Sequence, residues 1–312
     1  MMKKFMQISC YKACFMMMTV MLMGCTTLST TMYQSDGWQP VSISNSYEKV
    51  IHSNFTHKDH LIQVAKIGNQ PKNGYAVVYV LDGNAFFSPS VSIAQMLQGR
   101  PSETNPKSLL VVGIGYNTGR RLDVFNRTHD YTPPAASYPA PNGEQVKFGG
   151  ANMLYQFITQ ELTPILDDEF GINSRHRTLI GHSYGGLFGL YSLLNHGDGF
   201  DHYLIASPSI WWNDKSIYEY KAGFMPASNV GNVIITLGEQ ELNAKRHNPN
   251  APTTDLQGSD AYQTMLFLKD NLPNAKVDFH FNLGQSHGLN AYPSIIQGIK
   301  MAYDACHLDT TC

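Results

Sequence analysis

The sequence carries little net charge and shows no metal-binding cysteine pattern. Lys and Arg number 22 against 24 Asp and Glu, a formal charge of −2, and charged residues make up 15% of the 312 residues. Nucleic-acid-binding chains usually carry a basic surplus, so no nucleic-acid partner is expected. The five cysteines show no CxxC spacing, so no zinc site is expected.

The apolar run near the N terminus is too short to span a bilayer, which takes about 20 helical residues. Lysines precede the run at 13–23, a pattern typical of an export signal over residues 1–24. Its end, "LMGC", resembles the lipobox of bacterial lipoproteins, in which Cys25 would carry lipid. A simple signal peptide with a chance cysteine is the alternative. Thr26 favours the outer membrane, so we expect a lipid-anchored periplasmic protein.

Removal of this signal would change both the charge and the cysteine content. It would leave 19 Lys and Arg against 24 acidic residues, a formal charge of −5. It would also leave Cys25 for the lipid and a close pair, Cys306 and Cys312. In an oxidising compartment such a pair usually forms a disulfide, which would hold the C-terminal tail.

The remaining chain predicts a tether at 25–45 and one domain at 46–312, beginning with edge strands. Short runs rich in Val, Ile and Leu predict buried strands at 75–81, 109–114, 178–180, 203–205, 233–237 and 277–281. Helical patterns lie between them at 153–170, at 184–195 and from Ser294. This alternation predicts a doubly wound α/β fold with a mostly parallel sheet.

One segment, 117–150, does not follow this alternation. It holds four prolines, three arginines and little periodicity, so we expect an irregular lid or pocket wall there.

The stretch Gly181-His182-Ser183-Tyr184-Gly185 fits GxSxG, the nucleophile elbow of hydrolases. In that motif the serine occupies a sharp turn from strand to helix, which flanking glycines accommodate. Here a strand pattern precedes the motif and a helix pattern follows it, so we expect Ser183 to be the nucleophile. A tight turn without chemistry is the alternative.

A serine needs a base, and in this fold the acid and the histidine follow it in the chain. His287, in "GQSHGL", follows the last predicted strand and suits this role better than the other late histidines, His247, His280 and His307. Glu241, just beyond the strand 233–237, is the expected acid. Glu239 could replace it, or a Ser-His dyad could act alone.

Ester hydrolysis also needs N–H donors for the oxyanion of the tetrahedral intermediate. One is expected from the backbone of Tyr184 and the other from the backbone of Asn84, in "VYVLDGNAFF". Gly83 would free that turn and face the substrate, and Asp82 would fix the loop by hydrogen bonding.

These segments, with "VVGIGY", "DYTPP", "GGANMLYQFITQELTPI", "SPSIWW" and "TLGEQE", resemble the esterase D-like family of α/β-hydrolases, which includes S-formylglutathione hydrolase. The resemblance covers about residues 74–305. It is strongest to bacterial siderophore esterases that open ferric enterobactin, salmochelin and bacillibactin. It implies an α/β-hydrolase fold, with Ser183 as nucleophile, His287 as base, and Asn84 and Tyr184 at the oxyanion hole.

The resemblance also suggests pocket-lining residues: Arg127, Asp130, Tyr131, Trp211 and Trp212. A tandem tryptophan after a strand is more often core, so we expect only one of the two to touch the substrate. Arg120, Arg121 and Arg127 could attract an anionic ligand.

The sequence therefore predicts an exported serine esterase that uses no metal or cofactor. Its expected substrate is a small-molecule ester, a siderophore trilactone or a related compound. The alternatives are a general carboxylesterase acting on small acyl or feruloyl-type esters, and a ligand-binding lipoprotein of the same fold without catalysis.

Overall fold

The computed structural model describes residues 40–98, 108–138, 146–242 and 255–308. The chain divides into two compact units, Met1–Ser42 and Ile43–Cys312, and the second contains the fold. The predicted export signal, most of the predicted tether, Cys25 and Cys312 lie outside the described residues.

The described strands form one sheet in the order β1-β2-β4-β3-β5-β6-β7-β8. Strands β1 and β2 pair antiparallel at one edge, and β2 pairs antiparallel with β4. The remaining neighbours pair in parallel. The strands are β1 Ser46–His52, β2 Asp59–Ile67, β3 Tyr75–Leu81, β4 Leu109–Tyr116, β5 Ile172–His182, β6 His202–Ala206, β7 Asn232–Gly238 and β8 Lys276–Asn282.

Helices cover both faces of the sheet. Side chains of α1 and α7 pack on one face, and those of α2 to α6 pack on the other. The helices are α1 Gly83–Leu97, α2 Val124–Tyr131, α3 Ala151–Gln156, α4 Thr163–Phe170, α5 Tyr184–Asn195, α6 Asp260–Asn271 and α7 Ala291–Leu308. Two 3-10 segments, Trp212–Lys221 and Glu239–Leu242, follow β6 and β7. None of the helices in the described ranges is both long and apolar enough to cross a membrane.

Strand β3 shows why the short apolar runs become central strands. All seven of its residues are buried. Val77 and Tyr79 face the layer of α5, whereas Val78 and Val80 face the layer of α1 and α7. Because both faces are covered by helices, the strand reads as a continuous apolar run instead of an alternating one. The six strands predicted from such runs are all present, and the α/β fold class is confirmed.

The helix predicted over 153–170 is not continuous. A π-helical segment, Phe157–Leu162, separates α3 from α4. Pro164 lies in the first turn of α4 and has no N–H to donate to the preceding turn. The carbonyl of Ile158 accepts both the backbone N–H of Thr163, five residues later, and the Thr163 hydroxyl, the latter at 2.7 Å. The π-helical segment therefore ends directly before the turn that contains the proline.

The segment 117–150 is less irregular than expected. It contains α2, which begins after Asp123, whose side chain accepts the N–H of Asn126 at 3.0 Å. Eight residues are too few to show helical periodicity in a sequence, so the sequence did not predict this helix. Helix α2 places Arg127 and Tyr131 in the core, where both contact Asp82 in the turn after β3.

Candidate active site

Ser183 lies at a sharp turn between the last residue of β5 and the first residue of α5. Its backbone has φ 61° and ψ −118°, a conformation that non-glycine residues rarely adopt. The Ser183 N–H donates to the carbonyl of Ala206 at 2.9 Å, and its carbonyl accepts the N–H of Leu187 and of Ser209. These bonds tie the strained residue to the next strand and to its own helix.

The glycines required at this turn are not the pair that the sequence motif highlights. A Cβ at Gly181 would lie 2.1 Å from the carbonyl oxygen of Gly185, and one at Gly186 would lie 2.7 Å from that of Ala206. A Cβ at Gly185 would find its nearest neighbour, in Leu81, at an ordinary 3.5 Å. The close approach of α5 to its neighbours thus requires Gly181 and Gly186, and sequence reasoning missed Gly186.

The three candidate catalytic side chains form one hydrogen-bonded row. His287, on the loop between β8 and α7, places Nε2 2.9 Å from the Ser183 Oγ. Its Nδ1 lies 2.6 Å from Oε2 of Glu241, in the 3-10 segment after β7. Glu239 instead accepts the N–H of Gly284 at 2.7 Å. Of the two candidate acids, Glu241 is therefore the one in contact with the histidine.

Glu241 is held by several donors at once. Its Oε1 accepts the N–H of Gly238 at 2.7 Å and the hydroxyl of Ser207 at 2.6 Å. Burial raises the pKa of Glu241, but the hydrogen bonds from His287, Ser207 and Gly238 outweigh it and lower the pKa below its ordinary value. The carboxylate is therefore ionised at neutral pH and leaves only Oε2 for the histidine.

A buried polar network behind Glu241 fixes the direction of the Ser207 hydroxyl. Asn290 donates its two amide hydrogens to the hydroxyl oxygens of Ser207, at 2.7 Å, and Thr236, at 3.1 Å. The Thr236 hydroxyl donates to Ser294, which donates to the Asn290 carbonyl. Because the Ser207 oxygen accepts from Asn290, its single hydroxyl hydrogen is free to donate to Glu241. No motif in the sequence marks Asn290.

His182, next to Ser183, supports the backbone of His287. Its Nε2–H donates to the carbonyl of His287 at 2.7 Å, and the two ring centroids are 4.8 Å apart. Burial, with a smaller contribution from His287, lowers the pKa of His182 to about 4. His182 is therefore neutral at physiological pH and adds no charge beside the candidate base.

The two candidate oxyanion donors belong to first turns of helices, where backbone N–H groups lack intrahelical partners. Asn84 lies at the start of α1, and Tyr184 is the first residue of α5. The Asn84 side chain is held by the backbone of Tyr116 through bonds of 2.8 and 3.0 Å. Gly83 is buried, and its Cβ would lie 2.7 Å from the carbonyl carbon of Gly113. Gly83 thus permits close packing of the turn against β4, and its predicted contact with the substrate stays a prediction.

Two residues of α2 that were predicted to line the pocket lie in the core. Arg127 is 9% exposed, and its guanidinium makes two bonds of 2.9 Å to the carboxylate of Asp82. Tyr131 is 1% exposed, and its hydroxyl accepts the N–H of Asp82 at 3.0 Å. The prediction that Arg127 and Tyr131 contact the substrate is therefore corrected. Both residues instead hold Asp82, in the turn after β3.

Asp130 is also buried, and Trp212 is the member of the tryptophan pair that lies in the core, as expected for one of the two. Asp130 is fully buried and accepts hydrogen bonds from Lys58, at 2.5 Å, and from the Tyr116 hydroxyl, at 3.0 Å. Trp212 is 2% exposed and packs against the ring of Phe148, with centroids 5.8 Å apart. Neither side chain is accessible to a substrate.

Exposed aromatic and basic side chains lie on the segments that follow β6 and β4. Trp211 is 64% exposed, and its ring centroid lies 6.0 Å from that of Tyr184. Arg120 and Arg121 are also exposed, and Arg121 donates to the hydroxyl of Tyr292 at 3.0 Å. Within the described ranges, no three His, Cys, Asp or Glu side chains are grouped to hold a metal ion.

Residues 59–249 match the model of the protein family described as "Putative esterase". The chain belongs to this esterase family. Ferri-bacillibactin esterase BesA of Bacillus subtilis (strain 168) is 34% identical over 190 residues, which cover 58% of the chain and 65% of BesA. A siderophore enterobactin esterase of Emericella nidulans is 40% identical over 148 residues, covering 45% of the chain and 48% of the relative.

The solved structures that resemble this member of the esterase family are α/β-hydrolases. The crystal structure of the BES protein from Bacillus cereus superposes with a TM-score of 0.71 at 27% identity, covering 86% of this chain and 98% of the other. The chain spans about half to just under two thirds of the length of the two curated relatives named above.

The spacing at the elbow predicts opposite outcomes for two neighbouring glycines. Gly186→Ala should lower the free energy of unfolding by about 1 to 3 kcal/mol, because its methyl group would be forced against the Ala206 carbonyl. Gly185→Ala should change that free energy by less than about 0.5 kcal/mol. Denaturant unfolding of both variants measures the difference, and an equal loss in the two would contradict this account of the turn.

Proposed function

We propose that the protein is a serine esterase in which Ser183 is the nucleophile, His287 the base and Glu241 the acid that orients the base. The observation that carries the proposal is the unbroken row from Glu241 through His287 to Ser183, with contacts of 2.6 and 2.9 Å at a strained elbow. Family membership supports ester hydrolysis as the reaction.

In the proposed reaction, the Ser183 Oγ attacks the ester carbonyl carbon while His287 Nε2 takes the hydroxyl proton. The negative oxygen of the tetrahedral intermediate accepts hydrogen bonds from the backbone N–H groups of Asn84 and Tyr184. The bond to the leaving oxygen breaks, and His287 gives that oxygen its proton. Water then attacks the acyl-serine with the help of His287, which releases the carboxylic acid and restores the serine.

The nucleophile is tested by Ser183→Ala. Without the hydroxyl no acyl-enzyme can form, so turnover of short p-nitrophenyl esters should fall by at least about 10³-fold. Circular dichroism should show that the variant is folded. A fluorophosphonate probe should label the unaltered protein and not the variant. Full activity of the variant would reject the proposal. If the unaltered protein is folded but neither reacts with the probe nor turns over esters, the ligand-binding alternative holds instead.

The acid is tested by a matched pair, Glu241→Gln and Glu239→Gln. Glutamine at 241 removes the charge that orients and stabilises the protonated His287, so kcat should fall by about 10²-fold or more. Glutamine at 239 should leave kcat within about twofold, because that side chain contacts the Gly284 backbone and not the histidine. Equal and small effects of both changes would favour a Ser-His dyad.

As substrate we propose a siderophore trilactone or a related ester. The names of the curated relatives, a ferri-bacillibactin esterase and a siderophore enterobactin esterase, support this class. Ferric catecholate siderophores are strongly anionic, and exposed arginines beside aromatic rings suit such ligands. Arg121 contacts Tyr292, and the guanidinium of Arg120 lies 5.8 Å from the ring centre of Phe125. A general carboxylesterase for small or feruloyl-type esters is the second candidate, supported by the exposed Trp211.

The substrate class is tested at these two arginines. Arg120→Ala with Arg121→Ala should raise KM for an anionic catecholate ester by about tenfold, because two positive charges are lost from the exposed segment after β4. KM for p-nitrophenyl acetate should not change. The control is Arg175→Ala, which removes an exposed arginine from the amino-terminal half of β5. If the unaltered protein cleaves acetyl esters rapidly but leaves every trilactone intact, the general carboxylesterase replaces the siderophore esterase.

We also propose that the enzyme acts in the periplasm as a lipid-anchored protein. Support comes from the pattern at residues 1–25, where an apolar run follows lysines and ends in "LMGC". Ferric siderophores enter Gram-negative cells through that compartment, so the location agrees with the proposed substrate.

A further inference from the structure

Arg127 contacts residues adjoining both proposed oxyanion donors. On one side, its Nε and Nη2 each lie 2.9 Å from a carboxylate oxygen of Asp82. Asp82 lies between β3 and α1, two residues before Asn84, whose N–H is one proposed donor. The ion pair therefore holds the turn that leads to that donor.

On the other side, Arg127 reaches the nucleophile elbow. Its Nη2 lies 3.5 Å from the carbonyl oxygen of His182, the residue before Ser183. The guanidinium carbon is also 5.6 Å from the ring centre of Tyr184, whose backbone N–H is the second proposed donor. One planar cation thus lies against residues on both loops that supply the donors.

The turn at Asp82 needs such support because its backbone is left-handed, with φ 55° and ψ 46°. Aspartate tolerates this conformation better than most residues, yet the conformation is still costly. The Asp82 N–H donates to the Tyr131 hydroxyl at 3.0 Å, and its carbonyl accepts the N–H of Ala85 and Phe86. With the carboxylate bound to Arg127, every polar group of Asp82 has a partner.

A buried ion pair contributes little net stability, because the cost of removing both charges from water offsets their attraction. The fork of a guanidinium can, however, bind a carboxylate through two parallel bonds and still present a nitrogen to a third group. These properties suit the alignment of two loops better than the binding of a substrate, because Arg127 is buried and already paired.

We infer that Arg127 is a positioning residue that sets the separation of the Asn84 and Tyr184 N–H groups. The inference rests on the proposed function. It assigns to Arg127 an effect on the transition state, where the oxyanion develops, and none on the affinity for the ground-state ester.

Arg127→Met tests the inference, because methionine keeps the buried stem and loses the fork. With p-nitrophenyl esters, kcat should fall by about 10- to 100-fold, the range in which small misplacements of catalytic groups act. KM should stay within about threefold. The Ki of a trifluoromethyl ketone, which forms an oxyanion on the serine, should rise by the same factor as kcat/KM falls.

Arg177→Met is the matched control for lost stability. Arg177 also forms a largely buried ion pair, with its Nε 3.2 Å from Asp201, at the amino-terminal end of β6 and far along β5 from the elbow. This variant should lower the melting temperature and leave the Ki of the ketone unchanged. Should Arg127→Met fail to fold, Arg127→Lys retains the charge without the fork and should shift Ki in the same direction by a smaller factor.

The outcomes separate the inference from the proposed function. If the Arg127 variants bind the ketone as tightly as the unaltered protein, or raise only KM for anionic esters, Arg127 is no positioning residue and the inference is overturned. If Ser183→Ala keeps its activity, the proposed esterase mechanism fails, whatever the Arg127 variants do.

Discussion

The close approach of α5 to the sheet is the constraint on which the site depends. Ser183 can keep its strained backbone because its N–H is bonded to Ala206, the last residue of β6, and its carbonyl to Ser209, just beyond that strand. That approach is possible only where no side chain intervenes, at Gly181 and Gly186. The strain is thus balanced by the backbone bonds around it and raises the hydroxyl above the sheet edge.

The same device recurs at neighbouring strands. Asp82, Ser183 and Ser207 follow β3, β5 and β6, which lie side by side, and all three are non-glycine residues with positive φ. Each turns the chain sharply at the carboxyl edge of the sheet. One turn leads to the Asn84 amide, the next presents the serine, and the third aims a hydroxyl at Glu241. The site is therefore built from adjacent strand ends, the place where α/β sheets bind ligands.

The sequence was informative where a local pattern determines local structure. The elbow at Ser183, the strand before it and the loop around His287 could be found because each is continuous in the chain. The pattern favoured Glu241 but left Glu239 open, since both follow the same strand. Their different contacts depend on the direction of a single 3-10 turn and on the Asn290 network, which is assembled from three distant segments.

The incorrect pocket predictions share one physical cause. A sequence shows that an arginine lies in a loop, but not whether a carboxylate 45 residues away accepts it in the core, as Asp82 accepts Arg127. Short helices such as α2 lack enough turns to reveal which face is buried. Trp212 was ambiguous for a related reason, because aromatic side chains suit pockets and cores equally well.

The two adjacent tryptophans have opposite environments, one buried and one exposed. Trp212 fixes the chain after β6 in the core, while its neighbour Trp211 extends into solvent beside Tyr184. An exposed side chain that does not pack in the core can be substituted with little loss of stability. Position 211 is therefore one at which selection, natural or in the laboratory, could change the surface beside Tyr184 without refolding the loop that presents it.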